Sequence, residues 1–433
     1  NTFDQCVDFI VSDCQYGIDG ALPMIYTNAS GTVAESLYGR ATKAAAYALK
    51  ARVLLYAASP LFNGNADYAK FANEDGTLLF APKDDSKWGK AAAAAKEAID
   101  KIEGSSYYGL YYSDEPDNGY RNYMELFLPS KKWNKEYIFA RNQGTGYSDN
   151  IHQEKCMAAN GMGGWSGLCP TQELVDAYEM ANGSTPIIGY NADGTPIING
   201  ASGYSETGFA ATAGKHYPAG VYNMYVGREP RFYASINFNG QQWRGRQLEF
   251  WQGGKDGINV SKVDYCCTGY LLRKTADEGV DVINGKGGMK EASILFRVGS
   301  LYLDYAEALN EAEGPVDDVY KYVDAIRKRA GLPGLAKGLD KDKMRERIQH
   351  ERQIELAFEA GHRYFDCHRW KIAEKTDNGY MHGMNITATN KVDYSKRSTV
   401  GDSRVFEKKH YLFPIPQSEM DKRIGLVQSP YWE

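Results

Sequence analysis

The chain has 433 residues, of which 43% are hydrophobic and 24% charged, fractions typical of a globular protein with one to three domains. Its formal net charge of −5 leaves no cationic excess to neutralise phosphates, which argues against nucleic-acid binding, although local patches can differ from the mean. No run of about 18 apolar residues is present, so no transmembrane helix is predicted. The 32 tyrosines suit recognition surfaces, because each ring combines an apolar face with a polar tip.

The first part of the chain, 1–140, has helical patterns. Residues 42–62, TKAAAYALKARVLLYAASPLF, are rich in Ala and Leu and reach a proline where a helix should stop. Residues 84–104 begin with Asp and Ser as candidate caps and end at a glycine. Alanines at helical spacing would let neighbouring helices approach closely, as stacked helical hairpins require.

The second part, 141–290, is rich in Gly, Asn, Ser and aromatic residues and lacks helical periodicity. Asp-Gly at 193–194 and Asn-Gly at 239–240 are turn signals, and RFYASINF at 231–238 is a possible strand. A long stretch without helices is uncommon inside a compact domain unless it carries function. We therefore expect ligand recognition in this part.

The third part, 291–433, returns to helical patterns. Residues 294–314 predict a helix with one apolar stripe: Leu295, Val298, Leu301, Tyr302, Tyr305 and Leu309. A second helix is predicted over 318–334. A weak likeness between LLYAAS at 54–59 and LDYAEA at 303–308 indicates helical repeats of tetratricopeptide type.

Segment 351–370, ERQIELAFEAGHRYFDCHRW, is dense in ionisable groups. Glu351, Glu355 and Glu359 repeat at every fourth residue and would share one helix face. An apolar stripe is predicted beside them: Ile348, Ile354, Ala357, Phe358 and Phe365. Arginines are available nearby to neutralise the carboxylates: Arg327, Arg329, Arg347, Arg352, Arg363 and Arg369.

Glycoside hydrolysis would need two carboxylates that face each other across a sugar, usually from different elements. Carboxylates interleaved with arginines on one helix should instead stay ionised with a lowered pKa, which is wrong for a general acid. We interpret the segment as a structural ion-pair network. A glycosidase that uses Glu351 and Glu355 is the alternative.

The cysteines and histidines match no metal or redox motif. The seven cysteines are odd in number and form no CxxC pair, although Cys156 and Cys169 flank a Gly-rich loop and could pair. His362 and His368 are six residues apart, which would place them on opposite faces of a helix. No cofactor is predicted, and the residues do not decide whether Ca²⁺ helps to hold a ligand.

Several motifs together resemble the SusD/RagB family of outer-membrane lipoproteins, which capture glycans at the surface of certain Gram-negative bacteria. The motifs are YLDYAEALN at 302–310, IRKRAGLP at 326–333, ERQIELAFE at 351–359, RYFDCHRW at 363–370 and LFPIP at 412–416. Segments 39–62, 170–183 and 228–240 look like the same family in the same order. The likeness therefore runs along almost the whole chain.

The resemblance implies a mainly α fold, in which tetratricopeptide-like helical hairpins carry a loop-rich, aromatic subdomain with short β-hairpins. Parts 1–140, 141–290 and 291–433 would form one integrated SusD-like domain that lacks its N-terminal segment. The family implies a surface location on the outer membrane through a lipid anchor outside this chain. Cys6 is not expected to be the lipid-bearing residue, because FDQC lacks the apolar approach of a lipobox.

The family also implies a protein without catalytic activity that delivers glycan to a SusC-like TonB-dependent transporter. Some members take up peptides instead, so peptide capture stays open, as does a tetratricopeptide scaffold that binds a protein segment. Sugars stack their C–H patches on aromatic rings and pair their hydroxyls with polar side chains. The predicted ligand-binding residues are aromatic or polar loop residues of the second part: Trp165, Tyr217, Tyr222, Asn223 and Trp251.

Overall fold

The structure, a computed structural model, describes residues 1–128, 133–142, 147–285, 292–359, 361–422 and 425–432. The helices are α1 (Phe3–Asp19), α2 (Lys43–Ala58), α3 (Ser86–Gly104), α4 (Gly119–Leu126), α5 (Tyr147–Met157), α6 (Gln172–Ala177), α7 (Pro230–Ser235), α8 (Val298–Glu313), α9 (Asp317–Arg329), α10 (Lys341–Glu355), α11 (His362–Arg369), α12 (Ala373–Thr376), α13 (Lys391–Tyr394) and α14 (Gln417–Met420). The strands are β1 (Tyr137–Asn142), β2 (Ile187–Tyr190), β3 (Pro196–Ile198), β4 (Ile236–Phe238), β5 (Gln242–Trp243), β6 (Arg246–Gln247), β7 (Tyr270–Leu272), β8 (Ala292–Arg297), β9 (Gly379–Met384) and β10 (Arg397–Arg404). They pair as antiparallel two-stranded ribbons: β1 with β8, β2 with β3, β4 with β7, β5 with β6, and β9 with β10.

The larger core lies between helices of the two ends of the chain. Helix α2 packs against α1 and α3, and α8 packs against α3, α9 and α10. Small side chains line the α2–α3 contact and are buried: Ala44, Ala48, Ala51, Ala91, Ala95 and Ala98. The predicted mainly α fold, built from helical hairpins with short β-hairpins in the loop-rich part, is confirmed. Among the described helices, none combines the length and the apolar character needed to cross a membrane.

The helix predicted over 294–314 begins later than expected. Residues Ala292–Arg297 form strand β8, which pairs with β1, and the helix starts at Val298. Leu295, which was placed on the apolar stripe, is therefore exposed on a strand. Backbone pairing with β1 explains the change, because periodicity along one segment carries no information about a distant partner strand.

The predicted apolar stripe beside the three glutamates is wrong at Phe358 and Phe365, although Ile348, Ile354 and Ala357 are buried. Helix α10 ends at Glu355, and Phe358 has a left-handed backbone with a φ of 63°. Its side chain is 45% exposed, and Phe365 is 48% exposed. The chain leaves the helix before Glu359, so this carboxylate reaches its partners from a turn rather than from the helix face.

A second core lies in the loop-rich part of the chain, around the β4–β7 ribbon. The strand predicted over 231–238 is mostly helix: α7 begins at Pro230, a residue that favours the first helical position, and only Ile236–Phe238 is extended. The turns at 193–194 and 239–240 are confirmed, with Gly194 and Gly240 at positive φ. The three-part division of the chain stays a prediction, and its boundary at 290–291 lies outside the described residues.

Candidate functional site

Glu355 is the centre of a buried ion-pair network beneath α10. Its two oxygens accept from Arg297 at 2.9 Å, from Arg231 at 3.1 Å and from Arg329. Glu351 pairs with Arg231 at 2.6 Å. Further pairs extend the network, Glu351–Arg327, Glu359–Arg297, Glu359–Lys274, Glu136–Arg297 and Glu136–Arg329. These side chains are almost completely buried.

A second network ties α11 to the helical core. Arg352 pairs with Asp304 at 2.6 Å and with Asp366 at 2.9 Å. Arg369 pairs with Asp366 and with Glu307. These contacts hold α8, α10 and α11 together, and they confirm the interpretation of 351–370 as structural. Arg231 and Arg297, which lie far from the segment in sequence, were not among the predicted partners.

The electrostatics of Glu355 exclude the role of a general acid. Burial raises the pKa of its carboxyl, but Arg329, Arg297 and Arg231 outweigh this effect and lower the pKa to about 2. Glu355 is 0% exposed and has no route to a sugar. Glu351 is equally enclosed by arginines, so the geometry does not support the glycosidase alternative.

A cavity of about 320 Å³ opens in the loop-rich part of the molecule. It is lined by the loop 214–218 and by Tyr120, Gln241, Gln242 and Arg273. Its volume lies at the lower end of the range of small-molecule sites, roughly 300–1,000 Å³. The lining combines aromatic rings with amide and cationic groups, which is the combination that sugar recognition requires.

Close backbone contacts position Tyr120 at the cavity. It is the second residue of α4, whose first turn is capped by the side chain of Asn118. A Cβ atom at Gly119 would lie 2.2 Å from the carbonyl oxygen of Ala330, so only glycine allows α4 to approach the end of α9. The close contact at Gly119 therefore fixes the position of Tyr120 relative to the helical core.

The other walls come from the β4–β7 ribbon and its connections. Gln241 and Gln242 follow the turn at Gly240, which has a φ of 86°. Arg273 directly follows β7, and its backbone N–H donates to the carbonyl of Ser235 at 2.8 Å. The antiparallel pairing of β4 with β7 places Arg273 beside the start of β4, whereas Gln241 and Gln242 follow the other end of that strand.

The rings at the cavity form a stack. The ring centroid of His216 lies 4.7 Å from that of Tyr120 and 5.3 Å from that of Tyr233. Burial, with Lys215 and Arg273 nearby, lowers the pKa of His216 to about 4, so the imidazole is neutral at pH 7. The Tyr217 ring lies over Gly214, where an added Cβ atom would be 2.3 Å from its Cζ atom.

Two polar groups of the cavity are left without their usual partners. The Oε1 atom of Gln241 is buried and accepts no hydrogen bond from the described residues. Arg273 is 9% exposed and donates to the carbonyl of Tyr233 and the hydroxyl of Tyr120, but it forms no ion pair with any carboxylate of the described chain.

Of the five predicted ligand-binding residues, Tyr217 lies in the wall of this cavity. The polar groups of Tyr222 and Asn223 are used within the chain: the Tyr222 hydroxyl donates to the carbonyl of Glu206, and Asn223 Nδ2 donates to that of Thr207 at 2.7 Å. These two side chains hold one loop in place. Their role in binding stays a prediction.

Trp165 and Trp251 lie elsewhere and are outside the cavity lining. The indole of Trp165 contacts the ring of His152 at 5.2 Å and Lys155 Nζ at 5.3 Å. Lys391 Nζ lies 4.9 Å from the ring centroid of Trp251. Both rings are partly exposed and already pair with cations or rings of the chain, so binding by either residue also stays a prediction.

The residues that sequence reasoning missed are Tyr120, Gln241, Gln242 and Arg273. Tyr120 belongs to a helix in the first part of the chain, whereas ligand recognition was expected in the second part. The Gln pair directly after the Asn-Gly turn was a usable signal, because a turn places the next side chains at the surface. Arg273 had no local signal, because only the pairing of β4 with β7 brings it to the cavity.

The described cysteines, histidines and carboxylates form neither a metal-ligand set nor a disulfide. In the described parts of the chain, no three His, Cys, Asp or Glu side chains are grouped as a metal-ligand set. The seven cysteines are free thiols. The Sγ atom of Cys169 lies 3.8 Å from that of Cys266, so the neighbour of Cys169 is not the predicted Cys156.

Comparison with known proteins gives consistent results. The solved structure of BT4246 is 27% identical, with a TM-score of 0.80, over 100% of this chain and 76% of that one. A SusD-like protein from Bacteroides fragilis NCTC 9343 is 27% identical, with a TM-score of 0.69, over 99% of this chain and 71% of that one. SusD-like protein P25 of Formosa agariphila is 42% identical over 82 residues, 18% of this chain and 15% of that protein's length.

The curated relatives thus match over much less than two thirds of their own length, whereas the solved structures match along the whole chain. The model of the SusD family matches residues 129–432. This range contains the motifs from 302 to 416 and most of the cavity wall. The chain belongs to the SusD family.

Proposed function

We propose that this protein is a non-catalytic glycan-binding protein of the bacterial cell surface, and that the cavity at Tyr120, Tyr217, Gln241 and Arg273 holds the sugar. The observation that carries the proposal is the lining of this cavity, where aromatic rings lie beside amide side chains and a guanidinium that forms no ion pair with the described residues. A sugar ring offers C–H faces for the rings and hydroxyls for the polar groups.

Membership of the SusD family supports the cellular setting that we propose. The protein would be held at the outer membrane by the family's lipid anchor and would deliver oligosaccharide or polysaccharide to a SusC-like TonB-dependent transporter. The helical hairpins would serve as the rigid scaffold that holds the loops in place. Catalysis is not part of the proposal, because Glu351 and Glu355 are enclosed in ion pairs.

Affinity electrophoresis and calorimetry against a panel of polysaccharides test the proposal. Tyr217→Ala should abolish most of the retention, because it removes a ring from the cavity wall. Trp165→Ala is the matched variant: it removes a larger, partly exposed ring outside the cavity and should leave retention unchanged. Circular dichroism of each variant checks that the fold is intact.

Two results would overturn the proposal in different ways. Loss of retention in Trp165→Ala but not in Tyr217→Ala would move the site away from the cavity. Retention of no glycan by the folded protein, together with binding to a peptide mixture, would support peptide capture by the same fold.

A further inference from the structure

The charged side chains that line the cavity are cationic, although the whole chain has a formal net charge of −5. Two cations, Lys215 and Arg273, belong to the lining, and among the described residues no Asp or Glu does. His216, between them, is neutral at pH 7 because its pKa is lowered to about 4. The cavity is therefore a local positive site on an acidic protein, which attracts anions.

The nearby carboxylates have other partners. Arg273 also lines the neighbouring cavity of about 150 Å³, together with Asp277 and Glu278. Glu278 accepts a hydrogen bond from the backbone N–H of Arg244 at 2.9 Å, and Asp277 accepts one from the backbone N–H of Gly279 at 2.8 Å. Glu115, on the Lys215 side, is paired with Arg121. None of these carboxylates forms an ion pair with a cation of the cavity, and Lys215 is exposed with no ion pair to the described residues.

Arg273 differs from the buried arginines of the ion-pair networks. Arg231, Arg297 and Arg329 each pair with at least two carboxylates, whereas Arg273 has a neutral carbonyl and a hydroxyl as acceptors. Arg228 also lacks a carboxylate, but it is 2% exposed and donates to the carbonyls of Met224, Val175 and Tyr178 away from any cavity. A nearly buried guanidinium in a cavity wall leaves its charge to be balanced by a ligand.

We infer that the cavity selects anionic glycans, in which a carboxylate or sulfate of the sugar lies against Arg273 and Lys215. This inference rests on the proposed glycan site and narrows its substrate class. The rings of Tyr120 and Tyr217 would hold the apolar face of the sugar. Arginine suits the planar carboxylate and the sulfate because its donors form a fork.

The test compares each acidic polysaccharide with its neutralised form: polygalacturonate with its fully methyl-esterified form, and κ-carrageenan with its desulfated form. The acidic member should bind more tightly, and the difference should shrink in about 1 M salt, where the screening length falls to about 3 Å. The two pairs distinguish a carboxylate ligand from a sulfate ligand.

Variants separate charge from shape. Arg273→Gln should weaken binding of the acidic member by about tenfold or more, and Arg273→Lys by less. Lys215→Gln should weaken it by about threefold, because an exposed charge contributes less. Lys262→Gln, an exposed lysine outside the cavity, should have no effect. Lys215 lies on the surface, so its variant decides the test if Arg273→Gln fails to fold.

The experiments can disprove the selection of anionic glycans without disproving the proposed glycan site. If neutral and acidic members bind equally and Lys215→Gln has no effect, while Tyr217→Ala abolishes binding, the charge selection is wrong and the glycan site stands. If the folded protein retains no polysaccharide of either kind, the proposed function is wrong, and the inference falls with it.

Discussion

The ion-pair network around Glu355 and the cavity at Arg273 are both rich in ionisable groups, but they use them in opposite ways. In the network, both oxygens of each glutamate have cationic partners inside the chain, and solvent is excluded. In the cavity, an arginine has no carboxylate and a buried amide oxygen has no donor. A high density of charged residues therefore does not mark a binding site. Incomplete pairing beside an open volume is the feature on which the proposed site rests.

The largest effect should come from breaking the network at its centre. Glu355→Gln removes a charge shared by three arginines and leaves them buried without full compensation. We expect a loss of about 3–5 kcal/mol in the free energy of unfolding, measured with urea. Glu346→Gln is the matched control, because Glu346 is exposed on the same helix and forms no ion pair in the described chain. Equal stability of the two variants would contradict the structural role of Glu355.

The network should also make the fold sensitive to acid. Burial raises the pKa values of Glu355 and Glu359, but neighbouring arginines and Lys274 outweigh this effect and lower both values to about 2. An unfolded glutamate has a pKa near 4.3. Between about pH 4.3 and pH 2 the unfolded state therefore binds protons that the folded state does not. The free energy of unfolding should have its full value above about pH 4.3. As the pH falls through this window, it should decrease by roughly 3 kcal/mol for each glutamate.

Urea unfolding at pH 7, 4.5 and 3 measures this effect. The same series on Glu355→Gln should show a shallower fall, because one of the two groups no longer titrates. An identical pH dependence in both proteins would mean that other carboxylates cause the acid sensitivity.

Two glutamine variants compare an amide that is hydrogen-bonded within the chain with an amide whose oxygen accepts no hydrogen bond from the described residues. Gln172 donates to Asp176 at 2.8 Å and accepts from the Tyr270 hydroxyl at 2.7 Å, so Gln172→Leu should cost about 1–3 kcal/mol of stability. Gln241→Leu removes an oxygen that has no partner and should leave stability unchanged or raise it by up to about 1 kcal/mol. Thermal unfolding compares the two.

Glycan binding by the same variants completes this comparison. Gln241→Leu should weaken binding, because it changes the wall of the cavity while the fold is kept. Gln172→Leu should bind normally wherever it remains folded. A Gln241→Leu protein that is less stable and binds normally would show that this amide serves the fold and not the ligand.

The smallest effect should come from the loop beneath Tyr217. Gly214→Ala places a methyl group on the Tyr217 ring and should shift the ring, which weakens glycan binding by a few-fold. Stability should change by less than about 0.5 kcal/mol, because the displaced group is a partly exposed side chain. Gly200→Ala, in a loop with no neighbour within 4 Å, should change neither quantity. Calorimetry at one temperature measures glycan binding by both variants, and thermal unfolding measures their stability.

Much of the fold could be read from local patterns. Helix α2 follows from a run of alanine and leucine that stops before Pro60, and α3 follows from a run of alanine that ends at Gly104, and these signals act within a few residues. The order of the motifs from 302 to 416 was enough to identify the family. The structural role of the glutamates also followed from sequence, since their spacing beside arginines favours permanent ionisation over acid–base chemistry.

Tertiary contacts determine which arginines pair with Glu355 and which residues line the cavity. Arg231 and Arg297 reach Glu355 from separate elements, and β8 exists because β1 lies beside it. Tyr120, Gln241 and Arg273 come from three distant segments and meet through tertiary contacts, among them the packing of α4 on α7 and α9. Local sequence determines helix propensity and charge, because these depend on neighbours along the chain. Which polar groups are left unpaired at a surface depends on every element that packs around them.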